Sequence, residues 1–354
     1  MDIKQAQEDA VLLLKSLVAI PSYSREEGAA SDFLQRYIEA LGYATGRKDN
    51  NIWIFGPAFD VEKPTIMLNA HIDTVKPTAG WNHDPHVPSE EDGRLYGLGT
   101  NDDGASLVSL LYVFFMLTEK EQSYNLIFAA SAEEEVSGKA GMESLLLEMP
   151  TIDLAIVGEP TNMRLALAEK GLMVVDCTAV GKSGHAARNE GENAIYKALD
   201  DIEWVKNADL PKKSDLLGPV KMTVTMVHSG TQHNVIPDKC TFVIDVRSNE
   251  CYTNEEIFNV LESHMQSELQ ARSFRLRSSG IDRNHPFVKR CVDMGVSTFG
   301  SPTLSDQALM HFTSVKIGPG DSSRSHTADE YIVLSEIEEA IVRYLNLLDG
   351  LKLD

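Results

Sequence analysis

The sequence is short of positive charge. It has 32 lysines and arginines against 53 aspartates and glutamates, which gives a formal net charge of −21 at pH 7. Nucleic acids and anionic membranes attract basic protein surfaces, because both present negatively charged phosphate groups. The charge balance therefore argues against both as partners. We expect most of the acidic residues on the solvated surface and some of them as metal ligands.

Cysteine is also scarce, and the spacing of the cysteines does not suggest a metal site. The chain has four cysteines, none in a Cys-x-x-Cys pair: Cys177, Cys240, Cys251 and Cys291. Thiolate metal sites and thiol redox motifs usually contain such close pairs. Few, widely spaced cysteines are typical of a reducing compartment. We therefore expect a cytoplasmic protein without a thiolate metal site.

Long apolar runs are missing as well. The longest, Leu107–Leu117, spans 11 residues and includes Ser109, whereas a membrane-spanning helix needs about 20. It predicts a buried helix. Met1–Ser22 has acidic residues from Asp2 onward and no basic region before an apolar block, so it predicts an amphipathic helix and not a secretion signal. Neither a Gly-x-Ser-x-Gly nucleophile motif nor a glycine-rich nucleotide loop is present.

With 354 residues, 43% of them hydrophobic, the chain is long enough for two globular domains. Several short apolar runs end in loops that carry acidic residues and histidines: Thr65–Ala70 before His71 and Asp73, Asn125–Ala130 before Glu133–Glu135, Asp153–Val157 before Glu159, and Ser314–Ile317 before His326. Short apolar strands separated by helices predict an α/β fold with a central, mostly parallel sheet buried on both faces. Ligands bind beyond the carboxyl ends of such strands. We therefore expect these loops to meet in one cleft.

The pattern changes between about Lys170 and Ile281. The predicted strands there are Leu172–Val180, Val220–Val227 and Cys240–Arg247. The predicted helices are Asn193–Lys206 and Asn254–Ala271. With one further short strand, this gives a β-α-β-β-α-β order, which predicts an inserted α/β sandwich of the ferredoxin-like type. The predicted domains are residues 1–169 with 282–354, and residues 170–281.

Each chemically suggestive segment has an ordinary alternative when taken alone. Asp102 and Asp103 precede a helix, where aspartate also serves as a cap. Glu133–Glu135 could form a surface acidic turn, because adjacent carboxylates in a cleft repel one another unless cations lie nearby. Taken together, however, the loops offer two histidines and at least three carboxylates. Such a nitrogen and oxygen ligand set suits zinc, cobalt or manganese.

The order of these segments, from Leu17–Ser22 to beyond His326, closely resembles the M20 family of zinc aminoacylases and peptidases, and within it the acetylornithine deacetylase and succinyl-diaminopimelate desuccinylase group. The resemblance implies a zinc-peptidase-like catalytic domain that binds two zinc ions, with cobalt or manganese as substitutes. It implies that His71 and Glu159 bind one ion, that Glu135 and His326 bind the other, and that Asp102 bridges them.

The resemblance also implies the roles of two further acidic residues. Asp73 would orient His71, and Glu134 would be the general base. The family pattern of an acid followed by two glutamates and a nearby glycine, here Gly138, places the base at Glu134, although chemistry alone leaves Glu133 open. Where the family often has Asp-Met-Lys-Gly, this chain has Asp102-Asp103-Gly104-Ala105. The bridge is assigned to Asp102, with Asp103 as the alternative.

For the inserted domain, the resemblance implies a lid that also forms a homodimer. Gly181–Ala186 resembles the histidine motif of such lids, so His185 would enter the partner subunit's site and stabilise the oxyanion. Asn234 and Arg247 match positions that hold substrate. Arg247 has the geometry to clamp a carboxylate, and a surface ion pair is its alternative interpretation.

The implied reaction is hydrolysis of the amide of an N-acyl amino acid, such as N-acetylornithine or a related N-acetyl or N-succinyl ornithine, citrulline or lysine, in arginine biosynthesis. The products are a carboxylate and the free amino acid. Glu134 would take a proton from the attacking water and return it to the leaving amine. The alternatives are a dipeptidase or aminoacylase of the same family, or a non-catalytic relative that binds acyl amino acids. The intact Glu134 argues against the last.

Overall fold

The computed structural model describes residues 1–57, 59–188 and 190–353. In chain order its helices are α1 (Ile3–Val18), α2 (Gly28–Ala40), α3 (Ala105–Thr118), α4 (Met142–Leu146), α5 (Ala194–Asn207), α6 (Asn254–His264), α7 (Pro286–Asp293) and α8 (Leu334–Leu348). Shorter helical turns cover Thr100–Gly104, Glu134–Val136, Asp306–Leu309 and Ser322–Arg324.

The strands, also in chain order, are β1 (Thr45–Lys48), β2 (Asn51–Phe55), β3 (Thr65–His71), β4 (Ser89–Glu91), β5 (Arg94–Tyr96), β6 (Asn125–Ser131), β7 (Leu154–Val157), β8 (Leu165–Glu169), β9 (Met173–Val180), β10 (Gly184–His185), β11 (Lys221–Ser229), β12 (Val235–Ile236), β13 (Lys239–Arg247), β14 (Glu268–Ala271), β15 (Ser279–Gly280), β16 (Thr298–Ser301), β17 (Ser314–Lys316) and β18 (Tyr331–Val333).

The chain folds into two compact units. The first consists of Met1–Leu167, Ile281–Phe299 and Ser305–Asp354, and the second of Ala168–Gly280 with Gly300–Leu304. The sequence places the domain boundaries at 169/170 and 281/282. The short return segment Gly300–Leu304 belongs to the second unit, and no sequence pattern indicates this.

The first unit is built on a mixed sheet with the strand order β1-β2-β6-β3-β7-β17-β8. Its centre is parallel, because β6, β3, β7 and β17 pair in the same direction. The flanking pairs β1–β2, β2–β6 and β17–β8 are antiparallel. Both β3 and β6 are buried along their whole length, which explains their continuous apolar sequences. The predicted α/β fold with a mostly parallel central sheet is confirmed.

Helix α3 is the predicted buried helix. Most of its side chains are buried, and it packs against α1, α8 and strand β3. Helix α1 buries a single stripe at helical spacing, including Leu13 and Leu17, as expected for an amphipathic helix. Among the described residues, none of the helices combines the length and the apolar character needed to cross a bilayer.

The second unit contains a four-stranded antiparallel sheet with the order β11-β13-β9-β14. Strand β9 alternates between buried and partly exposed side chains, so one face packs on a core shared with α5 and α6. The helix predicted for Asn254–Ala271 is wrong in its last third. Helix α6 ends at His264, and Glu268–Ala271 is β14, which pairs with β9 and completes the β-α-β-β-α-β order.

Candidate dinuclear metal centre

The four loops predicted to carry chemistry follow strands of the parallel part of the sheet. Strand β3 ends at His71, β6 ends just before the acidic loop, β7 is followed by Glu159, and β17 leads towards His326. Because these strands run in the same direction, their loops emerge at one edge of the sheet. All of these side chains belong to the first unit.

Asp102 lies between two histidines. Its Oδ1 is 3.1 Å from Nε2 of His71, and its Oδ2 is 3.6 Å from Nε2 of His326. The neighbouring Asp103 is buried beside α3, where burial, together with the charge of Asp102, raises its pKa to about 8. Asp103 contributes no atom to either donor group described below. The geometry thus favours Asp102 as the bridging carboxylate.

Two groups of donor atoms are close enough to share an ion. Donor atoms of His71, Glu134 and Glu159 lie within 4.8 Å of one another, and so do those of His71, Asp102 and Glu135. His326 contacts two members of the second group, because its Nε2 is 2.9 Å from Oε2 of Glu135 and 3.6 Å from Oδ2 of Asp102. Imidazole nitrogen and carboxylate oxygen are the donors found in zinc hydrolase sites. The residues present therefore fit a dinuclear metal centre.

Electrostatics lead to the same conclusion. Burial raises the pKa of Glu134 well above its ordinary range, and the charges of Glu159, Asp306 and Glu135 raise it further. Burial likewise raises the pKa of Glu159, although the charge of Lys316 opposes the shift. Clustered buried carboxylates are costly unless cations offset their repulsion. Two divalent ions would supply that offset.

His71 is oriented by the backbone of Asp73. Its Nδ1 lies 2.8 Å from the carbonyl oxygen of Asp73. A carbonyl oxygen only accepts a hydrogen bond, so Nδ1 carries the proton and Nε2 is free to act as the donor atom toward a metal ion. Oδ1 of Asp73 is 3.6 Å from the same nitrogen, which is too long for a good hydrogen bond.

The Asp73 carboxylate instead supports the acidic loop. Its oxygens accept the hydroxyl of Ser24 at 2.7 Å and the backbone N–H groups of Glu134 and Glu135 at 3.0 and 3.2 Å. One residue therefore links the loop carrying His71 to the loop carrying the predicted base. The sequence assigns Asp73 to His71 alone, and this second contact has no sequence signature.

Glu133 and Glu134 occupy different environments. Glu133 has a left-handed backbone with φ of 56°, and its side chain packs against Gly138, where an added Cβ would lie 1.7 Å from Oε2 of Glu133. Gly138 is thus required by close approach. The carboxylate of Glu134 belongs to a donor group, and Glu133 contributes no atom to either group. The structure brings Glu134 into the centre.

His326 is the most accessible member of the cluster, with 52% of its side chain exposed. Its hydrogen bond with Glu135 raises its pKa to about 9, against the effect of burial. The preceding turn is fixed at both ends. Asp321 accepts the backbone N–H of Ser323 at 2.8 Å, and Arg324 forms two hydrogen bonds with Glu336 on α8.

The predicted lid residues all lie in the second unit. His185 in β10 pairs with Val235 in β12, and the backbone N–H of Ala186 donates to the carbonyl of Asn234 at 3.0 Å. His185 and Asn234 therefore share one small ribbon. Arg247 binds its neighbour Asp245 through two hydrogen bonds of 2.8 and 3.2 Å, so the ion pair considered for it is present.

Sequence reasoning missed several buried charged residues around the centre: Glu27, Asp306, Lys316 and Glu330. Asp306 accepts the hydroxyl of Ser131 at 2.5 Å. Lys316 had a detectable signal, because a lysine within the apolar run Ser314–Ile317 is unusual for a buried strand. Glu27 and Glu330 had none beyond being acidic.

Comparisons with known proteins show the family of this chain. The sequence profile of Peptidase family M20/M25/M40 matches residues 67–350, and the chain therefore belongs to this family of hydrolases. A succinyl-diaminopimelate desuccinylase from Paracidovorax citrulli is 25% identical to it over 96% of this chain and 97% of that protein.

Solved structures share the fold. A tripeptidase from Staphylococcus aureus superposes with a TM-score of 0.75 at 20% identity, covering 97% of each chain. A Bacillus subtilis peptidase of the M20 family, described as binding a dinuclear metal, superposes with a TM-score of 0.71 at 16% identity, covering 98% of each chain. At these identities, the likeness to the two solved structures shows a shared fold and no more than that.

Proposed function

We propose that this chain hydrolyses the amide bond of an N-acyl amino acid with two zinc ions as cofactors. The observation that carries the proposal is the position of Asp102 between His71 and His326, with the Glu134 carboxylate in the same cluster. His71 and Glu159 would hold one ion, and Glu135 and His326 the other. Bound divalent ions would polarise the acyl carbonyl and make water more acidic.

Glu134 is the proposed general base. Its carboxylate lies within 4.8 Å of donor atoms of His71 and Glu159, and a carboxylate in that position can accept a proton from the attacking water and later release it to the leaving amine nitrogen. Asp73 supports this role by holding the N–H groups of Glu134 and Glu135. Retention of Glu134 argues against a non-catalytic relative that only binds acyl amino acids.

The proposed substrates are N-acetylornithine and the related N-acetyl or N-succinyl derivatives of ornithine, citrulline and lysine, with a role in arginine biosynthesis. The relatives named as succinyl-diaminopimelate desuccinylases, such as the Paracidovorax citrulli protein, add weight to a succinyl group and to a diamino acid as substrate. A dipeptidase or aminoacylase is the alternative within the family.

We further propose a homodimer formed through the second unit, with His185 stabilising the oxyanion and with Asn234 and Arg247 holding substrate. In support, β11 lies at the edge of its sheet and exposes half of the Met226 and Val227 side chains. An exposed edge strand with apolar side chains is prone to pair with another chain. The free cysteines support a cytoplasmic location.

One screen tests the reaction. The zinc-loaded protein is incubated with matched N-acetyl and N-succinyl amino acids and with dipeptides, and release of free amine is measured. We expect release from at least one N-acyl diamino acid, and none with Glu134→Gln, which serves as the background control. Release from dipeptides alone would replace the proposal with the dipeptidase alternative.

A further inference from the structure

Two buried carboxylates outside the proposed ligand set bind the backbone of the loops that carry Asp102 and Glu134. Glu27 is 0% exposed and Glu330 is 2% exposed. A buried carboxylate is unfavourable unless hydrogen-bond donors surround it. For both residues the donors include backbone N–H groups of the metal-centre loops.

Glu330 contacts the loop of the bridging residue. Its Oε1 accepts the backbone N–H of Asn101 and that of Asp102, each at 2.9 Å. Its own carbonyl oxygen accepts the N–H of Gly97 at 3.0 Å. Glu330 thereby fixes both ends of the segment from Gly97 to Asp102. It also follows His326 by four residues, so it ties the loops of two proposed ligands together.

Glu27 contacts the loop of the proposed base. It precedes α2, but its side chain makes no capping bond to that helix. Instead, its Oε1 accepts the N–H of Arg25 at 2.5 Å and that of Glu133 at 3.3 Å, and its Oε2 accepts Nδ2 of Asn50 at 2.9 Å. The carboxylate is thus directed away from its own helix and towards a residue 106 positions further along the chain.

The contact with Glu133 complements those of Asp73. Glu27 accepts the backbone N–H of Glu133. Asp73 accepts those of Glu134 and Glu135, so a carboxylate binds each of three consecutive N–H groups. Glu133 has a left-handed backbone, which is unfavourable for a residue with a side chain and persists only where neighbours hold it. The direction of the Glu134 side chain depends on this turn.

We infer that Glu330 is a positioning residue for the bridging ligand Asp102 and that Glu27 is a positioning residue for the base Glu134. The inference rests on the proposed function. The two residues act through different loops, so their removal affects different quantities. Loss of Glu330 weakens metal binding, and loss of Glu27 slows turnover while metal binding is kept.

The first test titrates Zn²⁺ into metal-free protein in competition with a chromophoric chelator. We expect Glu330→Ala to bind Zn²⁺ about 10–100-fold more weakly, the usual effect of removing a group that orients a ligand. Glu330→Gln should stay within about threefold of wild type, because its amide oxygen can accept the same two N–H groups. Wild-type affinity in Glu330→Ala, or equal weakening in Glu330→Gln, would overturn this half of the inference.

The second test measures steady-state kinetics of the zinc-loaded enzyme. For Glu27→Ala we expect kcat to fall by roughly 10–100-fold, since small displacements of a catalytic group are costly, with KM and Zn²⁺ affinity within about threefold. Glu26→Ala is the matched control, because Glu26 is the preceding residue and its exposed carboxylate forms an ion pair with Lys76 at 3.7 Å. An unchanged kcat, or a loss of Zn²⁺ affinity equal to that of Glu330→Ala, would overturn the assignment.

Hydrogen–deuterium exchange separates this inference from the proposed function, because it requires neither substrate nor activity. Glu27→Ala should speed exchange about tenfold in residues 132–138 and leave residues 97–104 unchanged, and Glu330→Ala should do the reverse. Equal effects on both segments, or none, would contradict the inference even if amine release is confirmed. Where an alanine variant fails to fold, the shorter Glu27→Asp and Glu330→Asp carry the same expectations.

Discussion

Nε2 of His326 lies 2.9 Å from Oε2 of Glu135, although 191 residues separate them in the chain. A half-exposed histidine thereby meets a carboxylate of the acidic loop that follows β6. Imidazole nitrogen and carboxylate oxygen are both zinc donors, and this proximity supports the proposal that His326 and Glu135 hold one ion.

The ligand assignment predicts distinct losses of metal. His71→Ala and His326→Ala should each reduce bound zinc from about two ions per chain towards one, because each histidine is assigned to a different ion. Metal content after exhaustive dialysis, measured by atomic emission, checks this. His264→Ala is a suitable control, because its ring stacks on Trp204 in the second unit. Active wild-type enzyme with only trace divalent metal would contradict the dinuclear assignment.

The base assignment predicts loss of turnover without loss of metal. Glu134→Gln should reduce kcat by about 10²–10⁴-fold or more, the usual contribution of a general base, while zinc stays near two per chain. Glu133→Ala is the register control, since its side chain packs against Gly138 and contributes to neither donor group. If Glu133→Ala abolished turnover and Glu134→Ala did not, the register would be displaced by one residue.

The turn before His326 predicts a pH-dependent contribution to stability. The hydrogen bond from Asn162, together with that from Ser323, lowers the pKa of Asp321 to about 2, against roughly 3.9 in an unfolded chain. A lowered folded-state pKa stabilises the fold above the unfolded pKa and loses that effect as pH falls from about 4 to 2.

Asp321→Asn should therefore melt at a lower temperature than wild type at pH 7, and the difference should shrink at pH 3. Calorimetry of both metal-free proteins measures it. A difference in Tm that is the same at both pH values would show that the charge of Asp321 contributes nothing to stability.

The sequence predicts the parallel core and the metal-centre loops well because both leave local patterns. Strands such as β3 and β6 are buried on both faces and so are apolar throughout, and each ends in a conspicuous acidic or histidine-containing loop. Strand β14 leaves a weaker signal: its four residues continue the apparent helix pattern of α6, and only pairing with β9 makes them a strand.

The supporting carboxylates could not be predicted for a different reason. The contacts of Glu27 with Glu133, of Glu330 with Asp102 and of Asp73 with Glu134 all involve backbone N–H groups distant in the chain. Every non-proline residue has such a group, so the residue type of the donor does not indicate which backbone N–H a carboxylate will bind. Only the folded geometry selects it.

The last prediction tests whether His185 completes the site of the partner subunit in the proposed homodimer. Glu134→Ala lacks the base and His185→Ala lacks the oxyanion donor, so each homodimer should be inactive. If the sites are completed in trans, a mixed dimer has one site with both lesions and one with neither. Exchange of subunits should then restore up to about half of the wild-type activity per mixed dimer. If His185 acts within its own chain, every site in the mixture carries one lesion and no activity returns.

The measurement is amine release after mixing, with subunit exchange verified independently by native mass spectrometry of differently tagged chains. Verified exchange without recovered activity would reject the trans assignment, and a chain that stays monomeric at assay concentration would reject the dimer itself.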